Sequence, residues 1–151
     1  MADFIKASQV FFDVEAATVD DVLEFLAEKA TELGVADDKA AVLAALKARE
    51  SEGTTGMMSG FAIPHCKSAA VKEAAVLVAK FADPVSWDSM DGKPIRVAIS
   101  LLVPEGEVGT VFLRMLSQVA VMLMDEEFRG VALTSASAEE ISRAVSAGLE
   151  A

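Results

Sequence analysis

Ile95-Arg96-Val97-Ala98-Ile99-Ser100-Leu101-Leu102-Val103 is a nine-residue run, β-branched and aliphatic almost throughout. Its stretch from Val97 onward is nearly continuously apolar, which marks a strand buried on both faces and not one with a solvent side. Such a strand needs a covering layer on each side. Asp83-Pro84 and Asp91-Gly92 are turn signals that separate it from a second apolar run over residues 74–81. Val10-Phe11-Phe12-Asp13-Val14 is a third candidate, a strand or an extended arm.

Helical patterns surround these strands. Thr18-Val19-Asp20-Asp21 has the look of an N-terminal cap with acids in the first turn. Val19, Val22, Leu26, Ala30 and Leu33 follow at helical spacing until Gly34. Asp37 or Asp38 caps a second helix with Val42, Ala45 and Leu46 on its buried stripe. A long helix is expected over 108–124, with Phe112, Met115, Val119 and Met122 in one stripe and Leu116 and Leu123 widening it. Its methionines read as core filler. Gly130 is expected to break the pattern before a short strand over 131–133. Ser137-Ala138-Glu139-Glu140 then opens a last helix faced by Ile141, Val145 and Leu149. The expectation is an α/β fold over residues 1–151: a single domain with a central mixed sheet flanked by helices. Trp87 is expected to pack over the edge of the core.

Composition narrows the classes of function. The 151 residues are 53% hydrophobic and 25% charged, which fits a globular chain and not a disordered one. Thirteen Lys plus Arg against 24 Asp plus Glu give a net charge of −11. That sign argues against nucleic acid or an anionic membrane surface as partner. The apolar runs are too short for the roughly 20 residues that span a bilayer, and no signal peptide is read at Met1-Ala2-Asp3-Phe4-Ile5-Lys6. One cysteine suits a reducing compartment. A cytoplasmic location is expected, with no direct membrane insertion.

The chemistry concentrates in Gly53-Thr54-Thr55-Gly56-Met57-Met58-Ser59-Gly60-Phe61-Ala62-Ile63-Pro64-His65-Cys66. A Gly/Thr/Ser loop offers backbone N–H groups that can cradle an anion. After the proline comes the only histidine in the chain. Its imidazole, with an ordinary pKa of about 6.5, is a nucleophile near neutrality. A lone histidine is as readily a packing or surface residue, but proline favours a strand end or sheet edge, so His65 is expected at a rim. Arg49 falls on the apolar face of the second helix, at the end nearest the glycine loop. There it either reaches solvent, pairs with an acid, or waits for a phosphate that its planar fork can grip. Lys47 and Lys67 are the other cations nearby. One His and one Cys cannot close a zinc site, so no metal is expected. Adjacent residues on an extended segment point apart, which rules against a Cys66–His65 dyad. No P-loop or dinucleotide fingerprint is present, and a serine hydrolase would have to borrow His65 itself.

Arg49-Glu50, Thr55-Gly56 and Gly60-Phe61-Ala62-Ile63-Pro64-His65 together resemble the phosphorylation-site signature of enzyme IIA domains. The class is the fructose/mannitol one of the bacterial phosphoenolpyruvate-dependent sugar phosphotransferase system. Trp87 before Asp91-Gly92-Lys93-Pro94, the run ending at Pro104, and Met124-Asp125-Glu126-Glu127-Phe128 extend the likeness over nearly the whole chain.

The resemblance implies a phosphotransferase in which His65 takes a phosphoryl group from the phosphocarrier HPr and passes it to a cysteine of an enzyme IIB during sugar uptake. Arg49 and the amides near Thr54, Thr55 and Gly56 would stabilise the transferring group, with no cofactor. A regulatory carrier, like the nitrogen-related branch of the same system, is the alternative. Two positions depart from the pattern. Phe112 stands where the family usually has a second histidine, and Met58 where the first loop commonly has its second glycine.

Overall fold

The computed structural model describes residues 4–106 and 109–150. After a short 3-10 turn at Ala7–Gln9 come β1 (Val10–Val14), α1 (Val19–Glu32), α2 (Lys39–Glu52), β2 (Phe61–Ala62), β3 (His65–Ser68), β4 (Ala75–Val85) and β5 (Ile95–Pro104). Three helices complete the chain: α3 (Gly109–Met122), α4 (Glu126–Thr134) and α5 (Ala138–Glu150). The expected start of the long helix at Val108 lies outside the described residues.

The sheet runs β1-β4-β5-β2, and β3 also pairs with β5. β4 and β5 are antiparallel, while β1 on β4, and β2 and β3 on β5, are parallel, so the sheet is mixed. β2 and β3 pair with successive parts of β5 (Val97 and Ala98, then Leu101 to Pro104). They are one edge strand interrupted at Ile63-Pro64, where proline has no donor for the ladder.

β5 is buried on both faces, as its sequence requires. Val97, Ile99 and Leu101 join the core beneath α3, α4 and α5, with Met115, Val119, Ile141 and Val145. Ala98 and Leu102 join the opposite core beneath α1 and α2, with Val22, Leu26, Val42 and Leu46. The period-2 alternation of a strand thus divides one apolar run between two layers.

The helix starts follow from their caps. The Thr18 hydroxyl accepts from the Asp21 amide while the Asp21 carboxylate accepts from the Thr18 amide, a closed capping box. Asp38 caps α2 by accepting from Ala41, and Ser137 accepts from the Glu140 amide at the start of α5.

Two expectations are corrected. The segment 131–133 is helical and belongs to α4, with Gly130 inside it. Asp125 accepts from the Glu127 amide at its cap, and Phe128 and Ala132, one turn apart, supply its buried face. The Asp83-Pro84 turn signal lies within β4. Pairing with β5 shifts register between Lys80 and Val85, and Pro84 falls in that irregular, exposed part where a missing donor is tolerated.

Candidate functional site

His65 opens β3 at the sheet edge, directly after the break at Pro64. Strand alternation puts His65 and Lys67 on one face, towards α3, and Cys66 on the other, inside the α1/α2 core. Burial pushes the Cys66 thiol up to about 12, so it is an inert packing residue.

The imidazole has both nitrogens engaged. Nδ1 lies 2.7 Å from the Ile63 carbonyl oxygen, and Arg49 Nε lies 3.1 Å from Nε2. A carbonyl can only accept and a guanidinium can only donate. The proton therefore sits on Nδ1, and Nε2 presents its lone pair to Arg49. The main chain two residues back supplies the acceptor that fixes the tautomer.

Burial pulls the imidazole pKa below its ordinary 6.5; the Ile63 carbonyl opposes this, the Arg49 charge adds to it, and Glu50 and Glu52 oppose it. The neutral, nucleophilic form is favoured. His65 is 7% exposed, more covered than a residue at a strand's rim is expected to be. Arg49 covers Nε2, and Phe112 of α3 lies against the ring with centroids 5.6 Å apart.

Arg49 comes from the last turn of α2, on the other side of the sheet edge. Its Nη1 donates to the Gly53 carbonyl at 2.7 Å, which bends the guanidinium back over the helix end. Among the described residues it has no carboxylate partner. The guanidinium of the sequence reading thus reaches the histidine and pairs with no acid among the described residues, although Arg49 remains partly exposed.

The residues expected to cradle phosphate are arranged differently. The Thr55 amide and hydroxyl donate to Glu50 at 2.8 and 2.6 Å, and the Gly56 amide donates to the Thr54 hydroxyl at 3.1 Å. The Thr54 hydroxyl in turn donates to the Asp88 carbonyl. The anion held by this glycine loop is the chain's own Glu50 carboxylate. Trp87 completes the arrangement by donating its indole N–H to the same carboxylate at 3.1 Å. Gly56 has no room for a side chain, because a Cβ there would overlap the Asp88 carbonyl.

Glu50 is the residue whose work the sequence reading missed. Its place beside Arg49 in the quoted signature was the available signal. Lys67 does lie near His65, with its Nζ 5.3 Å above the Phe112 ring. Lys47 opens instead onto a cleft shared with Trp87 and Asp88.

A neutral imidazole aimed at an unpaired guanidinium, on a mixed sheet between two helical layers, is equipped to take and hold an anionic group. The family described as "Phosphoenolpyruvate-dependent sugar phosphotransferase system, EIIA 2" matches residues 3–147. This chain belongs to that family of phosphohistidine-carrying phosphotransferases. It is 38% identical over 125 residues to the "PTS system fructose-specific EIIA component" of Haloferax volcanii, covering 83% of this chain and 80% of that one. It also matches longer EIIABC components, spanning 19% of the 2-O-alpha-mannosyl-D-glycerate-specific one of Escherichia coli at 31% identity and 22% of the fructose-specific one of Bacillus subtilis at 28% identity, over 83% and 93% of this chain.

Among solved structures, it superposes on the nitrogen regulatory protein IIA-Ntr of Neisseria meningitidis with a TM-score of 0.85, at 31% identity over 94% of this chain and 96% of that one. The fold is also that of enzyme IIAMTL in its complex with phosphorylated enzyme IIBMTL from Escherichia coli, with a TM-score of 0.78 at 18% identity, covering 95% and 97% of the two chains. Among the described residues no helix is long and apolar enough to cross a membrane.

Proposed function

We propose that His65 accepts a phosphoryl group on Nε2 from phosphorylated HPr and passes it to an enzyme IIB, as a cytoplasmic step of sugar uptake. The observation that carries this reading is the fixed tautomer: Nδ1–H is held by the Ile63 carbonyl, and the Nε2 lone pair faces Arg49. The bond from phosphorus to the donor breaks with its electron pair returning to the donor. The Nε2 lone pair forms the new P–N bond in line with it.

Charge builds on the phosphoryl oxygens and on the ring. Arg49 exchanges its hydrogen bond to Nε2 for bonds to those oxygens, and the Ile63 carbonyl stabilises the ring, which keeps its Nδ1 proton. Thr54, Thr55 and Gly56 contribute by position, since Glu50 occupies both donors of Thr55, the Thr54 hydroxyl occupies the Gly56 amide, and the Asp88 carbonyl occupies the Thr54 hydroxyl. Transfer onward to an enzyme IIB is the same step in reverse with a thiolate as acceptor.

A fructose-class sugar is the first to try, in keeping with the fructose-specific relative. The likeness to IIA-Ntr, higher in TM-score than that to enzyme IIAMTL, supports a second reading in which the phosphorylation state governs binding to other proteins. Incubation with phosphoenolpyruvate, enzyme I and HPr tests the carrier step. One acid-labile phosphoryl group per chain is expected, absent from His65→Ala. Labelling that persists in that variant refutes the assignment, because the chain has no other histidine. Discharge by an enzyme IIB then separates transport from regulation.

A further inference from the structure

We propose that Lys67 is a second cation of the phosphoryl site, parked on the face of Phe112 in the resting protein and delivered to the phosphoryl oxygens once phosphorus reaches Nε2. This rests on His65 being the acceptor, and three observations lead to it. His65 and Lys67 are two apart on β3, so their side chains leave the same face of the sheet edge. Phe112 touches both: its ring is 5.6 Å from the imidazole by centroid and 5.3 Å from Lys67 Nζ. Among the described residues no carboxylate pairs with Lys67, in a chain where acids outnumber bases 24 to 13.

A lysine left unpaired in so acidic a protein has a strong field drawing it to any dianion that arrives next door. Its hold on Phe112 is shallow, since an exposed cation–π contact is among the weaker interactions a lysine makes. The ammonium sits on a flexible four-carbon stem and can turn from ring to phosphate without moving the strand. Phe112 itself has no donor to offer the phosphoryl group. It is a positioning residue, closing one side of the imidazole to water and keeping the ammonium within reach. Arg49 approaches from the α2 side and Lys67 from the α3 side, so the two cations would flank the transferring group.

The test uses the full chain and phosphorylated HPr, with kcat and KM measured separately. Lys67→Met keeps an apolar stem over Phe112 and removes the charge; Lys67→Arg keeps the charge. The Met variant is expected to lose about tenfold in kcat at unchanged KM. That is less than the 100-fold typical of a buried donor, because Lys67 is solvated. The Arg variant should stay within about twofold of wild type on the same reasoning. The 31P resonance of the phosphohistidine should move in the Met variant and not in the Arg variant.

A wild-type kcat and 31P resonance in Lys67→Met overturns the inference, as does a rise in KM alone, which would make Lys67 a docking residue. In either of those results, phosphorylation of wild type and its absence in His65→Ala leave the carrier reading standing. A wild-type chain that takes no label from phosphorylated HPr overturns both.

Discussion

Replacing Glu50 is the most informative perturbation of the loop beside the histidine. In the wild type its carboxylate accepts three hydrogen bonds, from the Thr55 amide, the Thr55 hydroxyl and the Trp87 indole. Thr55 is 4% exposed and Trp87 7%, so Glu50→Ala strands their donors away from bulk water. Each stranded donor costs about 1–3 kcal/mol. The hydroxyl can turn to another acceptor and water can follow into the space left by a half-buried side chain, so a total near 3 kcal/mol is the working figure.

For a domain of this size that lowers Tm by roughly 6–12 °C. Glu50→Gln keeps the shape: its carbonyl can still accept from the Thr55 amide and the indole, while the Thr55 hydroxyl turns to accept. About 1 kcal/mol should be lost there, or roughly 2–4 °C. Calorimetry on the two variants reads the difference. Transfer from phosphorylated HPr should fall in the Ala variant, because the loop carrying Gly53, and with it the Arg49 anchor, is released. An Ala variant that melts within a degree of wild type would show that the carboxylate does not hold this loop.

Three further predictions follow from the same geometry. Arg49→Ala should slow phosphoryl transfer by about 100- to 1,000-fold and yet speed acylation of Nε2 by diethyl pyrocarbonate, because the guanidinium no longer occupies the lone pair; a fall in both rates would remove Arg49 from its position over Nε2. His65 has a folded pKa below its ordinary 6.5, so the unfolded state binds the proton more readily and stability should be complete above about pH 6.5 and decline as pH drops through it. Melts from neutral to acid pH should fall more steeply for wild type than for His65→Gln, and equal slopes would contradict the lowered pKa. Gly56→Ala forces its Cβ against the Asp88 carbonyl, which should cost about 1–3 kcal/mol as an overpacking strain and loosen the loop; a denaturant midpoint equal to wild type would refute the close approach.

Much of this was legible in the chain because it depends on local pattern. β5 announces burial on both faces by its nearly continuous apolar run, and α1, α2 and α5 carry their caps in sequence. Residues 131–133 were misread because Val and Leu after a glycine look like a strand. The deciding features were the Asp125 cap and the Phe128–Ala132 spacing. The proline in β4 looked like a turn because nothing local reveals that this stretch lies at an exposed register shift.

At the site, His65 and Arg49 could be found from a solitary imidazole after proline and a cation on an apolar stripe. The Ile63 carbonyl could not, since every residue has a carbonyl and only the fold aims one. Glu50 had a local signal, its place beside Arg49, but its bond to Trp87 joins residues 37 apart in sequence and only the fold brings them together.

Nitrogen-15 NMR of the imidazole, before and after phosphorylation by HPr, tests the acceptor geometry most directly. The resting ring should show its proton on Nδ1, and the phosphorylated ring should show phosphorus coupled to Nε2 with Nδ1 still protonated. Phosphorus on Nδ1, or a resting proton on Nε2, would contradict it.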